Sequence, residues 1–394
     1  MNKFKLQAGI MASSSFHMGP AAIIGAIPLA IAQYNTSPTL MQTIFALPAL
    51  TAVPMSLIIG SLAGKTGKKI PIQIGTLLML ISGLAVALFE LPLAGLAAAM
   101  AVMGLGLGCL MTLSTGLIAD HFRGAEQSKV MAHMSAFANL GGMLLAAAGG
   151  ILLAFGWKYI FWIFLYALIV LAVNHIFLPQ DRKATEQVDS NSKIKLNAHV
   201  FIFCGMVFVL GLSFGIRSAN AGLLVVQHGL GAVALANYAT TFWTAAGIVM
   251  GFAYGMTAKI LKDSILPIFA GIFALGMLLM GNATVLWIFY IGHVLAGMGV
   301  ATAMPTIISK AAQSVESNAS TFVISMIFAT INIANFAAPA IVNTLARLVA
   351  SETAQVCFNI GAVFLGLLCA FSWFYMYKRK RYELQKSRQD APFV

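Results

Sequence analysis

The sequence predicts an all-α membrane protein of twelve transmembrane helices, in two six-helix bundles related by pseudo-two-fold symmetry. Three observations predict it. Of the 394 residues, 60% are hydrophobic and 9% charged, where a soluble globular chain carries about 25% charged residues. Twelve stretches reach the roughly 20 mostly apolar residues that a helix needs to cross a bilayer. Short segments of the first six stretches recur in the last six. This composition excludes a water-soluble enzyme, a secreted domain and a disordered scaffold.

The predicted spans are 7–32, 40–62, 70–89, 93–117, 130–154, 158–178, 199–226, 234–257, 265–282, 285–308, 320–345 and 354–377. The first is too long for the apolar core of a signal peptide, about 7–15 residues, and is read as a retained helix. One internal stretch is long and polar, Pro179 to Asn197, with Asp181, Arg182, Lys183, Glu186, Asp189, Lys193 and Lys195. It divides the chain into a bundle over 1–178, a linker over 179–198, a second bundle over 199–377 and a basic tail over 378–394. Cys109, Cys204, Cys357 and Cys369 lie in apolar runs without a CxxC pair, so they read as small buried hydrophobes. Neither a metal site nor a cofactor is expected.

The repeat is read from three matches. Gly104-Leu-Gly106 returns as Gly297-Met-Gly299, 193 residues on, and Asn139 as Asn332 at the same shift. Ile70-Pro71-Ile72 with Gly75 returns as Leu266-Pro267-Ile268 with Gly271, 196 residues on. An even number of spans per half makes the repeats parallel, about an axis along the membrane normal. With the N-terminus placed inside, every Lys and Arg falls on the inner side except Lys158 and Arg347 outside and Arg217 within a span. That bias sets both termini in the cytoplasm and fits a bacterial cell membrane. It also removes nucleic acid as a partner, because the +12 net charge is spread over every inner loop rather than gathered in one patch. Lys378-Arg379-Lys380-Arg381 reads as a stop-transfer flank to the bilayer.

Three motifs carry a resemblance to the major facilitator superfamily. Gly60-Ser-Leu-Ala-Gly64-Lys65-Thr-Gly67-Lys68-Lys69 resembles the family's G-x-L-A-D-R-x-G-R-R loop after span two, with the Asp that helps to lock one gating state replaced by Gly64. Ile118-Ala119-Asp120-His121-Phe122-Arg123-Gly124 resembles the second inner loop, and Gly156-Trp157-Lys158-Tyr-Ile-Phe161 the family's G-W-R-x-x-F. The resemblance implies a gating loop built on Gly60, Gly64, Lys65, Gly67, Lys68, Lys69, Asp120 and Arg123, and a cavity lined by spans one, four, seven and ten. Two signatures of proton-coupled drug exporters are incomplete. Their Arg in span four is Met100, and in the span-five glycine motif Gly141, Gly149 and Gly150 stand while the central Gly-Pro is Leu145-Ala146.

All eleven carboxylates fall in loops, tails or span edges, so the membrane interior holds no acid. Arg217 is the converse, a cation inside span seven, where burial near the bilayer centre costs about 2.5–3.5 kcal/mol on insertion scales. Its partner is then a carbonyl, water, the outer interface or an anion. His17 in span one and His293 in span ten, at the repeat position of Met100, are proton-coupling candidates, since histidine titrates near ~6.5. Asn220, Ser14, Tyr34 and Trp243 complete the expected substrate site. Asn139, Asn332 and Asn335 are expected to hydrogen-bond helices together, and Pro20, Pro28, Pro48, Pro54, Pro305 and Pro339 to kink spans.

These residues predict a secondary active transporter, not an enzyme, acting as a monomer by alternating access. The expected solute is a small carboxylate-like organic anion, moved by proton symport or anion exchange. The alternatives are an exporter of neutral or hydrophobic drugs or metabolites, a sugar carrier, and a membrane receptor that transports nothing.

Overall fold

A backbone in hydrocarbon has to satisfy its own hydrogen bonds, and the described chain does so with helices alone. The computed structural model describes residues 3–179, 197–315, 317–349, 351 and 353–389. Eleven stretches among them are long and apolar enough to cross a membrane. One, Ala234–Gly281, has 48 residues, about twice a span, and turns back at Lys262, whose φ is 48°. Twelve crossing segments result. Span one runs over Lys3–Tyr34, two over Pro38–Thr66, three over Lys69–Leu88, four over Leu93–His121, five over Gly124–Leu153 and six over Tyr159–Phe177. Seven runs over Ala198–Gln227, eight over Ala234–Leu261, nine over Ile265–Gly281, ten over Leu286–Gln313, eleven over Ser317–Val349 and twelve over Ala354–Gln389. The linker expected over 179–198 falls, for residues 180–196, outside the described residues, as do residues 390–394 of the tail. The side chains of Arg379, Lys380 and Arg381 also lie outside them.

Consecutive spans alternate in direction. The start of span one and the loops after spans two, four, eight and ten therefore share one end of the bundle, here the terminal end. The loops after the odd-numbered spans share the distal end. The buried apolar core falls into one cluster drawn from residues between Leu6 and Leu178 and others drawn from residues between Val200 and Leu368.

Proline acts differently in span one than elsewhere. The helix stops at Phe16, resumes as Gly19–Ala22, tightens to a 3-10 turn at Ile24–Ala26 and continues over Ile27–Tyr34. Pro20 and Pro28 each sit in the first turn of a new segment, where a missing N–H is harmless. Through Pro48, Pro54, Pro305 and Pro339 the helix is continuous.

The repeated glycines hold span four against its neighbours. A Cβ at Gly104 would meet the Pro48 carbonyl of span two, and one at Gly106 the Gly75 carbonyl of span three. In the second half, Gly297 abuts the Trp243 carbonyl of span eight and Gly299 the Phe269 carbonyl of span nine. Small residues allow this close approach in lipid, where packing drives helix association. Gly104→Leu should therefore cost at least the roughly 1–3 kcal/mol of overpacking, because the obstacle is backbone. Gly205→Ala, with nothing within 4 Å of the new methyl, should be neutral or stabilising by up to about 1 kcal/mol. The yields of monodisperse protein for the two variants check this, and equal yields would contradict it.

Two ion pairs at the terminal end occupy the same place in each half with the signs exchanged. Lys68 after span two pairs at 2.7 Å with Asp120 at the end of span four. Asp263 after span eight pairs at 2.7 Å with Lys310 at the end of span ten.

Candidate functional site

The two halves meet through buried amides at the distal end. Gln42 of span two donates from Nε2 to the Ala219 carbonyl and to Asn220 Oδ1 of span seven, both at 3.1 Å. Asn343 of span eleven donates from Nδ2 to Gln42 Oε1 at 2.7 Å and to Thr39 Oγ1 at 3.0 Å. The Cys357 thiol donates to Asn343 Oδ1 at 3.2 Å, tying span twelve to the same chain of bonds. A second amide bridges spans eight and one. Asn237 Nδ2 donates to the Ala22 carbonyl at 2.9 Å, and its Oδ1 accepts from the Gly25 N–H at 3.1 Å. These are backbone groups that the broken helix of span one leaves over. Gly149 of span five makes room, since a Cβ there would press on both Asn237 Nδ2 and the Ala22 carbonyl.

Beneath this closure lies a cavity of about 180 Å³ between the halves. Spans one, two, four, seven and eleven line it. Most of the wall is Ala, Ile, Leu, Met, Phe and Pro; the polar side chains in it are His17, Gln42, Ser218, Asn332 and Asn335. His17 donates from Nδ1 to the Ser14 carbonyl at 2.9 Å, which orients the ring and leaves Nε2 as its remaining polar atom.

Arg217 stands behind that wall. It is 1% exposed, so it reaches neither lipid headgroups nor the cavity surface. Its guanidinium carbon lies 4.2 Å from the centre of the Trp243 ring and 5.3 Å from that of Phe214. Cation–π contacts of this kind contribute about 2 kcal/mol when desolvated. Nε and Nη1 are buried without a hydrogen-bond partner among the described residues. His293 donates from Nδ1 to the Phe289 carbonyl at 3.0 Å, and its Nε2 is likewise buried and unpartnered.

The residues expected to form one site are thus distributed. His17 faces the cavity, Asn220 belongs to the distal closure, Arg217 stacks on Trp243, and His293 is buried against Phe289. Ser14 donates to the Ile10 carbonyl at 2.8 Å, and Tyr34 to the Leu91 carbonyl at 2.7 Å. Asn139 and Asn332 donate to carbonyls of their own helices, and Asn332 also lines the cavity with Asn335. In the gating loop the helix of span two encloses Gly60, Gly64 and Lys65, whose side-chain surroundings lie outside the described residues. The turn is made by Gly67 at φ 78°. Lys68 and Asp120 pair, Lys69 donates to the His175 carbonyl at 2.6 Å, and Arg123 to the Ala119 carbonyl at 2.9 Å. Gln42, Asn237 and Asn343 were not singled out by the sequence reading. The available signal was an uncharged amide in an otherwise apolar span, which also marks ordinary helix packing.

Two six-helix halves thus enclose a central cavity and are joined by hydrogen bonds at one end. The family model described as Major Facilitator Superfamily matches residues 9–205, half of the chain, and the chain belongs to that superfamily. Among curated proteins it is 28% identical over 207 residues to the quinolone resistance protein NorA of Staphylococcus aureus, a match spanning 51% of this chain and 53% of that one. Its fold resembles that of a D-xylose-proton symporter, with a TM-score of 0.72 and 17% identity over 95% of this chain and 98% of that one. It also resembles the POT family transporter PepTSo, with a TM-score of 0.73 and 11% identity over 96% and 98% of the two chains.

Proposed function

We propose that the chain moves a compact, largely apolar organic solute across a bacterial cell membrane by alternating access of its two halves. The carrying observation is the wall of the central cavity, which has amide, hydroxyl and imidazole groups but no carboxylate, Lys or Arg among its lining residues. Such a wall suits a neutral solute with a few hydrogen-bonding groups. The volume of about 180 Å³ is below the roughly 300–1,000 Å³ of drug-sized pockets, which favours a small one. The relation to a quinolone resistance protein over half of its length is consistent with export. The bias of the basic residues toward one side supports a cytoplasmic terminal end. The conformation described here, closed distally, is then the one that loads or releases on the inside. Energy comes from an ion or solute gradient, and His17 is the cavity group able to carry a proton.

The test is flux in proteoliposomes over a panel of neutral, cationic and anionic solutes, with Ala46→Trp alongside. Ala46 lines the cavity, and an indole there should lower flux of the active solute at least about tenfold, since a rigid ring fills a well-packed site. Undiminished flux by Ala46→Trp would remove the cavity from the transport path. A second reading, a small carboxylate-like anion moved by proton symport or anion exchange, is favoured by the unpartnered donors of Arg217 behind Phe214. Labelled carboxylates in the panel separate the two readings.

A further inference from the structure

The central cavity has a hydrogen-bond polarity as well as a shape. Its polar side chains are His17, Gln42, Ser218, Asn332 and Asn335, and most of their N–H and O–H groups are already given to the protein. His17 gives Nδ1–H to the Ser14 carbonyl at 2.9 Å, so in the neutral ring Nε2 is a lone pair. Ser218 gives its hydroxyl hydrogen to the Gly215 carbonyl at 3.1 Å, which leaves its oxygen as an acceptor. Gln42 has its Nε2 hydrogens on the Ala219 carbonyl and Asn220, and its Oε1 accepts from Asn343. Among these side chains only the two amides of span eleven keep N–H groups, and Asn332 already donates to the Phe328 carbonyl at 2.8 Å. The backbone leans the same way. Pro20, Pro48 and Pro339 stand in the wall, and a proline inside a helix leaves the carbonyl four residues before it without its donor. Those carbonyls belong to Ile44 in span two and Asn335 in span eleven, where the helix runs on through the proline. The Asn335 carbonyl faces span seven: a Cβ at Gly215, another wall residue, would stand 2.7 Å from it.

With the cavity as the solute site of the transport proposed for this chain, we infer that it selects by hydrogen-bond donors. It takes a neutral, apolar-bodied solute that carries N–H or O–H groups, and it rejects a solute of the same shape whose polar atoms only accept, carboxylates included. His17 Nε2 on span one and Ser218 Oγ on span seven are the specificity-determining atoms, because each offers a lone pair from a side chain whose hydrogen is held elsewhere. The amides of span eleven can serve one acceptor on the same solute, so a group with both a carbonyl and an N–H, such as a primary amide, meets both kinds of wall. A site built to receive a donor rejects the analogue that lacks it, since its own polar groups are then left unpaired. A carboxylate fares worst. It has no hydrogen to give, loses its hydration on entry and meets the lone pairs of His17 and Ser218 with its own.

Equilibrium binding of three probes of one shape tests this. Benzamide has a carbonyl and two N–H donors. Acetophenone replaces the NH2 by a methyl of similar size and keeps only the acceptor. Benzoate has two acceptors and a negative charge. Labelled probe is dialysed to equilibrium against the purified full chain, and the part of the binding lost in Ala46→Trp is the part held in the cavity. Benzamide should bind there at least about tenfold more tightly than acetophenone or benzoate, the ratio expected of two net hydrogen bonds. His17→Leu combined with Ser218→Ala removes both acceptors and should bring benzamide and acetophenone to within about threefold of each other. Ser218→Ala alone should narrow the gap and serves if the double variant does not fold. Cavity binding with no preference for benzamide, or with a preference that both variants leave unchanged, would overturn donor selection while the cavity remains the solute site. Benzamide binding that Ala46→Trp leaves intact, or no binding at all, would overturn the cavity as solute site and donor selection with it.

Discussion

Asn237→Leu is expected to destabilise the distally closed conformation by about 2–6 kcal/mol. The substitution leaves the Ala22 carbonyl and the Gly25 N–H buried without partners, and each unsatisfied buried group costs about 1–3 kcal/mol. Both groups belong to span one, whereas Asn237 belongs to span eight, in the other half. The loss therefore falls on the conformation in which the halves touch distally. A conformation in which they part there can hydrate the same groups. Since about 1.4 kcal/mol is a tenfold change in an equilibrium constant, even the lower bound should shift the balance by more than an order of magnitude. Spin labels at Thr36 and Ala232, in the distal loops of the two halves, should report a longer separation in Asn237→Leu than in the parent. An unchanged distance distribution would mean that this amide does not hold the distal end. Gln42→Leu should act in the same direction, because Gln42 joins span two to spans seven and eleven.

The sequence makes the helices legible because the bilayer leaves so few choices. Length and apolarity suffice to place a span, and the break between spans eight and nine was visible as Lys259 to Asp263 in an otherwise apolar run. The repeated glycines were legible for the same reason: a helix in lipid approaches its neighbour closely only where side chains are small. The site was less so. Residue counting gives the depth of Arg217 along its span but not the side it faces. A helix turns 100° per residue, and which side meets the cavity depends on the tilt of the partner helices. Arg217 and Phe214 are one turn apart, yet only the latter lines the cavity. The same limit hid Gln42, Asn237 and Asn343, whose partners lie on backbone and side chains of the opposite half. Span one shows a third kind of limit. Its prolines are visible in the sequence, but only the fold shows that Pro20 and Pro28 start new segments while the helix runs on through Pro48 and Pro54.

Arg217→Met should raise the stability of the protein. Desolvating a guanidinium costs several kcal/mol even after relaxation, and contacts with Trp243 and Phe214 return about 2 kcal/mol. Methionine fills much of the same volume, packs favourably against aromatic rings and needs no counter-ion. Replacement of buried ionic groups by apolar ones stabilises by about 1–4 kcal/mol in comparable cases, so the variant should unfold at a higher temperature than the parent. A lower melting temperature for Arg217→Met would show that the cation is satisfied within the fold.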